Sequence, residues 1–135
     1  MSDWNSTIIE EFRANEGRVG GRFEDANMLL LHHTGARSGI ERVNPLVYFP
    51  DGDRMIIVAS AGGAPKNPDW FYNLRVHPRA TVEAGTATVT VDATELTGDE
   101  YQELWDRVTT ALPGFAEYQK NTTRRIPLVA LQPTE

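Results

Sequence analysis

At 135 residues, 40% hydrophobic and 24% charged, the sequence has the make-up of one globular domain with a proper core. It contains no cysteine, which excludes disulfides, thiol nucleophiles and cysteine-ligated metals. A net charge of −6 argues against nucleic-acid binding, and no apolar run approaches the roughly 20 residues of a membrane span. One domain over 1–135 is expected, with residues 1–20 as an N-terminal helix and linker. Met1-Ser2-Asp3-Trp4 does not begin a signal peptide, so a cytoplasmic location is expected.

In chain order, Thr7-Ile8-Ile9-Glu10 has the form of a capping box. Ile8, Ile9 and Phe12 follow at helical spacing, so the pattern predicts a short amphipathic helix ended by Gly17. Beyond a loose Gly17–Gly21 linker, Ala26–His33 reads as a buried strand. Arg42–Phe49 and Arg54–Ser60 read as two more, joined by the turn residues Pro50-Asp51-Gly52-Asp53. Between the first two strands lies Thr34-Gly-Ala-Arg-Ser-Gly-Ile-Glu-Arg-Val-Asn-Pro45. Its Gly35 and Gly39 allow backbone N–H groups to converge, and its Arg37 and Arg42 suit a phosphate or carboxylate.

A second flexible loop, Ala61-Gly62-Gly63-Ala64-Pro65-Lys66, leads into a helix over Pro68–Val76, with Asn67 as its cap and Pro78 as its stop. Ala80–Ala84 and Ala87–Leu96 alternate at period two around Gly85-Thr86, predicting a hairpin. Thr97-Gly98-Asp99-Glu100 is another capping box, and Leu104, Trp105, Val108 and Leu112 continue it at helical spacing. Phe115–Lys120 suggests one more helical turn, and Ile126–Leu131 a final strand. Six strands joined mostly by hairpins, without βαβ alternation, imply a small, largely antiparallel barrel with peripheral helices.

Charge is uneven along the chain: net −3 over residues 1–36, +2 over 37–79 and −5 over 80–135. The arginine loop therefore lies in the only positive third, a hint of an anion site. His32 and His33 are neighbours on a strand and face opposite ways, so they do not readily share a metal. No nucleophile elbow, Walker loop or dinucleotide-binding glycine motif occurs. What remains is a site built from loops. Arg37, Ser38, Arg42 and Asn44 come from the first, and Ser60, Gly62-Gly63 and Lys66 from the second. The helix start at Asn67 adds N–H groups. Trp70 and Phe71 are candidates to flank a planar ring, with core packing as the alternative. Together they describe a ligand with an anionic tail and an aromatic head.

The ordered set Thr-Gly-Ala-Arg-Ser-Gly, Arg-Val-Asn-Pro-Leu, Val-Ala-Ser-Ala-Gly-Gly-Ala-Pro-Lys-Asn-Pro and Asp-Trp-Phe-Tyr-Asn-Leu resembles the deazaflavin-dependent nitroreductase family of actinobacterial split-barrel oxidoreductases. The likeness runs from about Ile9 to Pro133. It implies a split β-barrel, FMN-binding-like, that binds the deazaflavin coenzyme F420. It also implies hydride transfer from the reduced coenzyme to a quinone, enone or nitro-type acceptor. On this resemblance Ala36, Arg37 and Ser38 meet the phosphate and polyglutamate tail. Arg42, Val43, Asn44, Pro45, Leu46 and Val47 run along the coenzyme. Val58, Ala59, Ser60 and Ala61 line its other side, and Asp69, Trp70, Phe71, Tyr72 and Asn73 lie near phosphate and ring. Phe115 and Tyr118 border the substrate end, with Phe12 and the first helix as a cover. Ser60 or Tyr118 is the candidate proton donor.

The chain departs from the family where Ala36 and Ala61 replace usual cations, with Lys66 or Arg75 as possible compensation. It departs again at Val47, Leu112 and Phe115, where some relatives carry tyrosines, and quinone or enone acceptors are expected accordingly. The alternatives are a non-catalytic F420 carrier and a split barrel holding FMN or haem. Oligomeric state is left open, and membrane contact is not indicated because the first helix carries Glu10, Glu11 and Arg13.

Overall fold

The computed structural model describes residues 2–17, 27–60 and 66–134. Most of the expected linker and the glycine loop with Ala61, Gly62 and Gly63 lie outside the described residues.

The order is α1 (Ser2–Ala14), β1 (Met28–Thr34), β2 (Glu41–Asp51), β3 (Arg54–Val58), α2 (Asp69–Val76), β4 (Arg79–Ala84), β5 (Ala87–Glu95), α3 (Gly98–Ala111), α4 (Gly114–Lys120) and β6 (Leu128–Pro133). The strands close a barrel in the order β1-β2-β3-β6-β5-β4, with β4 returning to β1, and every pairing is antiparallel. Closure leaves no exposed sheet edge. The expected small antiparallel barrel with peripheral helices is the fold observed, and α4 makes a full fourth helix.

Strand alternation sorts the apolar residues into an inner and an outer set. Leu29, Leu31, Ile57, Ala59, Val82, Val91, Val129 and Leu131 fill the interior, where Trp70, Phe71 and Leu74 of α2 join them. On the outer face, Ile56, Val58, Leu128 and Ala130 receive Tyr101, Leu104 and Val108 of α3. Elsewhere on that face, Met28 and Leu30 receive Ile8 and Phe12 of α1, with Val43 and Val47 beside them. Each fully buried side chain of this size contributes about 1.5–3 kcal/mol, so the helices are held chiefly by apolar burial.

Three expected side-chain caps are not formed, although Thr97 does stand at the N-cap position. Helix α1 begins at Ser2, so Thr7 and Glu10 lie inside it; the spacing of a capping box is also the spacing of one helix face. Asn67 does not cap α2, whose N-cap is Pro68; its amide turns instead to Tyr72 and Arg124. Thr97 is the N-cap of α3 but makes no side-chain capping bond. At the other end of α1, Gly17 adopts φ +95 and donates its N–H to Phe12 O at 2.7 Å. A Cβ there would meet the backbone of Gly85, so glycine permits both the turn and the docking of α1 on the β4–β5 hairpin.

The antiparallel registers gather loop 35–40, the β3 exit at Ala59-Ser60, α2 and the segment before β6 at one end of the barrel. The turns at 52–53 and 85–86 lie at the other. No helix among the described residues is long and apolar enough to cross a membrane.

Candidate functional site

At the first of these ends, loop 35–40 and the first turn of α2 enclose a cleft of about 460 Å³, lined by Gly35, Ala36, Arg37, Ser38, Arg42, Asp69, Tyr72 and Asn73. Two guanidinium groups face one carboxylate there, which gives the cleft the sign an anion requires.

The loop's shape is set by its own hydrogen bonds. Gly35 N–H donates to Ile40 O at 2.9 Å, and Gly39 N–H donates to Gly35 O at 3.0 Å. Ser38 Oγ accepts from Ile40 N–H at 3.1 Å and packs where a Cβ on Gly35 would stand, so a side chain at residue 35 would displace that hydroxyl. Gly39 takes φ +70. Ala36 N–H donates to Asn73 Oδ1 at 2.9 Å. Four N–H groups of the loop are thus engaged within the fold. Those groups are not free to converge on a ligand as expected, and the side chains that the loop leaves exposed at the cleft include Arg37 and Arg42.

Beneath the loop lies a polar chain that the sequence reading passed over. His33 is 3% exposed. Its Nδ1 meets Asn73 Nδ2 at 3.0 Å, and its Nε2 meets Asn44 Oδ1 at 2.6 Å. Because Asn73 Oδ1 already accepts from Ala36 N–H, Asn73 Nδ2 is the donor toward His33. Nδ1 therefore accepts, and the ring proton sits on Nε2 and is donated to Asn44. Burial, first, holds the imidazole below the usual histidine range; Asn44 opposes this, and Arg42 adds to it. The signal was present in the sequence, since His33 continues the inward-facing series Leu29, Leu31. A polar residue at such a position needs partners.

A second missed residue is Arg124. It donates through Nη1 to Ala59 O at 3.2 Å and Asn67 Oδ1 at 2.6 Å, and through Nη2 to Ser60 O at 2.8 Å. It thereby joins the exit of β3 to the entry of α2. Nothing in the local pattern around Arg124 marks it, because these partners lie 57 to 65 positions away.

The structure separates the other expected site residues. Trp70 and Phe71 are buried in the inner core with Ala59 and do not line the cleft; Tyr72 is the aromatic that does. The helical period explains the difference, since positions 70, 71 and 74 share the face turned into the barrel. Leu46 also packs inward, while Val43 and Val47 lie on the outer face under α1 and Val58 lies under α3. Pro45 is half-buried opposite Leu30, and Lys66 is exposed just ahead of α2. Ser60 is buried, whereas Tyr118 is 38% exposed and stands edge-on to Phe115 at 6.1 Å between ring centroids. Phe12 is 1% exposed and borders a groove beside Glu83 and Gly85, away from the cleft. Arg75 pairs with Glu95 at 3.2 Å and lies over the Phe71 ring, so it does not replace a cation in the cleft.

The family model described as F420H(2)-dependent quinone reductase matches residues 4–133. An F420H(2)-dependent quinone reductase of Mycobacterium tuberculosis is 37% identical over 124 residues, covering 89% of this chain and 83% of its own. Among solved structures, an F420-H2 dependent reductase (FDR-A) aligns with TM-score 0.72 and 36% identity, over 78% of this chain and 94% of its own. A chain described as a domain-swapped dimer aligns with TM-score 0.73 and 33% identity, over 97% and 98%.

Proposed function

The chain belongs to the F420H(2)-dependent quinone reductase family, and on that premise we propose that its basic cleft takes the anionic tail of F420 while a quinone is the acceptor. The protein is an oxidoreductase, and its cofactor is F420H2. The observation that carries the tail assignment is the pair Arg37 and Arg42 on one wall of the cleft, opposite Tyr72 and Asn73 of α2. Phosphate and glutamate groups are anions, and guanidinium forks match both. Residues 36 and 61 are alanines and bring no charge to the tail, so fewer charge-assisted contacts are expected than cations there would give, each contributing about 1.5–3 kcal/mol when desolvated.

Reduced F420, when bound, supplies a hydride. The chain's own residues bind, orient and protonate. Arg37 and Arg42 hold the tail, and Asn73 fixes the wall that faces them. Ser60, at the β3 exit, and Tyr118, on α4, are the hydroxyls assigned to donate to the developing oxygen of the acceptor. One hydride and one proton from such a hydroxyl, replenished from water, convert a quinone to a hydroquinone. Enones and nitro compounds need the same hydride at an electrophilic centre and extend the proposal to those acceptors. Partner-wise, the reading asks for a small-molecule acceptor and no nucleic acid, in a cytoplasmic protein.

Titration of the purified protein with oxidised F420, followed by quinone-dependent oxidation of F420H2, is the test. Binding in the micromolar range with turnover is expected; no binding at tens of micromolar sinks the proposal.

A further inference from the structure

We propose that His33 is a positioning residue of the cleft: carrying its proton on Nε2 alone, it fixes Asn73 and through it the Ala36 end of the arginine loop, and a second proton on Nδ1 releases that end. The inference deepens the reading of the cleft as the coenzyme-tail site and rests on it for its consequence.

The chain of bonds has one direction. Ala36 N–H donates to Asn73 Oδ1 at 2.9 Å, Asn73 Nδ2 donates to His33 Nδ1 at 3.0 Å, and His33 Nε2 donates to Asn44 Oδ1 at 2.6 Å. Only the first donor is fixed by covalent structure, and it fixes the rest. A charged imidazole has donors on both nitrogens and no acceptor. Asn73 Nδ2 would then face an N–H. If the amide turned to accept from His33, its nitrogen would face Ala36 N–H instead. Either way a donor of the chain loses its acceptor, at buried Asn73 or at the part-buried Ala36 N–H, a cost borne at the junction of loop 35–40 and α2.

The junction matters because nothing else described ties Ala36 to α2 by a hydrogen bond, and Arg37 follows directly. The charged and titratable groups that face His33 are Arg42 on β2, Asp69 on α2 and His32 beside it on β1. Burial, the largest influence, acts with Arg42 and His32 against a second proton, while the Asn44 hydrogen bond and Asp69 favour it; the balance holds the ring below the ordinary histidine range. Acidification below the ordinary histidine range is therefore the condition that releases the loop.

The full chain is titrated from about pH 8 to about pH 5 while the His33 ring-nitrogen shifts and the Ala36 backbone amide are followed by NMR without coenzyme. Oxidised F420 binding is measured across the same range. The proton is expected on Nε2 at neutral pH, and the Ala36 amide is expected to move with the midpoint of the His33 ring. The F420 dissociation constant should rise about tenfold as the ring charges, the loss of one net buried hydrogen bond. His33→Leu should weaken binding at every pH. His33→Gln, which keeps a donor and an acceptor, should weaken it less and remove the pH dependence, with thermal melts reporting that both variants fold. A neutral ring protonated on Nδ1, an Ala36 amide indifferent to the ring, or an unchanged pH dependence in His33→Gln would each overturn the proposal. If Ala36 follows the ring but F420 binds at no pH, the hydrogen-bond chain stands and the tail assignment is what fails.

Discussion

Arg124 and Asn67 meet at 2.6 Å, guanidinium to amide oxygen, although 57 positions separate them. The same guanidinium holds the carbonyls of Ala59 and Ser60, the last described residues before the segment that leads to α2. Arg124→Gln should take that donor from the carbonyls of the buried residues Ala59 and Ser60, destabilising the chain by roughly 1–3 kcal/mol and weakening F420 binding. Denaturant unfolding and coenzyme titration measure the two effects; a variant matching the parent in both would show that the clasp is dispensable.

Arg37 and Arg42 are exposed, so their removal should leave the fold intact. Each change to alanine is expected to weaken F420 binding about tenfold or more, because charge-assisted contacts contribute roughly 1.5–3 kcal/mol. The residual affinity should depend less on ionic strength. Unchanged affinity in the double variant would reduce the loop to a solvated turn.

Tyr118 tests the chemistry separately from binding. Tyr118→Phe keeps the ring that meets Phe115 and removes only the hydroxyl. If that hydroxyl serves the acceptor, kcat for quinone should fall about a hundredfold, the lower range for a positioned proton donor, while F420 affinity holds. Ser60→Ala is the companion variant. Full kcat in both would remove these hydroxyls from the mechanism and leave solvent as the proton source.

Phe12 belongs to the core on this structure, packed with Ile8, Met28 and Leu30. Phe12→Ala should cost about 3–5 kcal/mol of stability, while Phe12→Leu should cost little and leave the KM for quinone unchanged. A KM shift in a Phe12→Leu protein of normal stability would return the residue to the substrate site.

Glu83, Asp51 and His33 give stability a pH dependence; Arg54, the larger influence, and Arg107 hold the Asp51 carboxyl below its ordinary range. Arg13, the larger influence, and His32 hold the Glu83 carboxyl down to about 2. Their contribution is present above the ordinary carboxylate range and is lost as pH falls from there toward 2. His33 is held below its ordinary range by burial. Its contribution is present above about pH 6.5 and is lost as pH falls through that value. Unfolding free energy should therefore decline in two steps on acidification. Glu83→Gln should shrink the lower step and leave the part owed to Asp51; a variant that declines in parallel with the parent would count against the Glu83 ion pair.

The sequence by itself determined the barrel. Period-two alternation in β4 and β5, the short apolar runs of β1 and β3, and turn residues at 52–53 and 85–86 mark the strands and their hairpins. That information is local, so it can be read without partners. The arginine loop was likewise legible as a loop, and the ordered motifs pointed to F420. Tertiary structure decided what the loop does with its N–H groups, because their acceptors include Asn73 on a helix nearly forty positions on. It also decided that Trp70 and Phe71 turn inward while Tyr72 and Asn73 turn to the cleft. Both faces of α2 carry aromatic residues, and only the position of the barrel distinguishes them. The inward position of His33 was legible but its partners were not, and Arg124 carried no local mark at all: a buried polar contact is defined by groups that only the folded chain brings within reach.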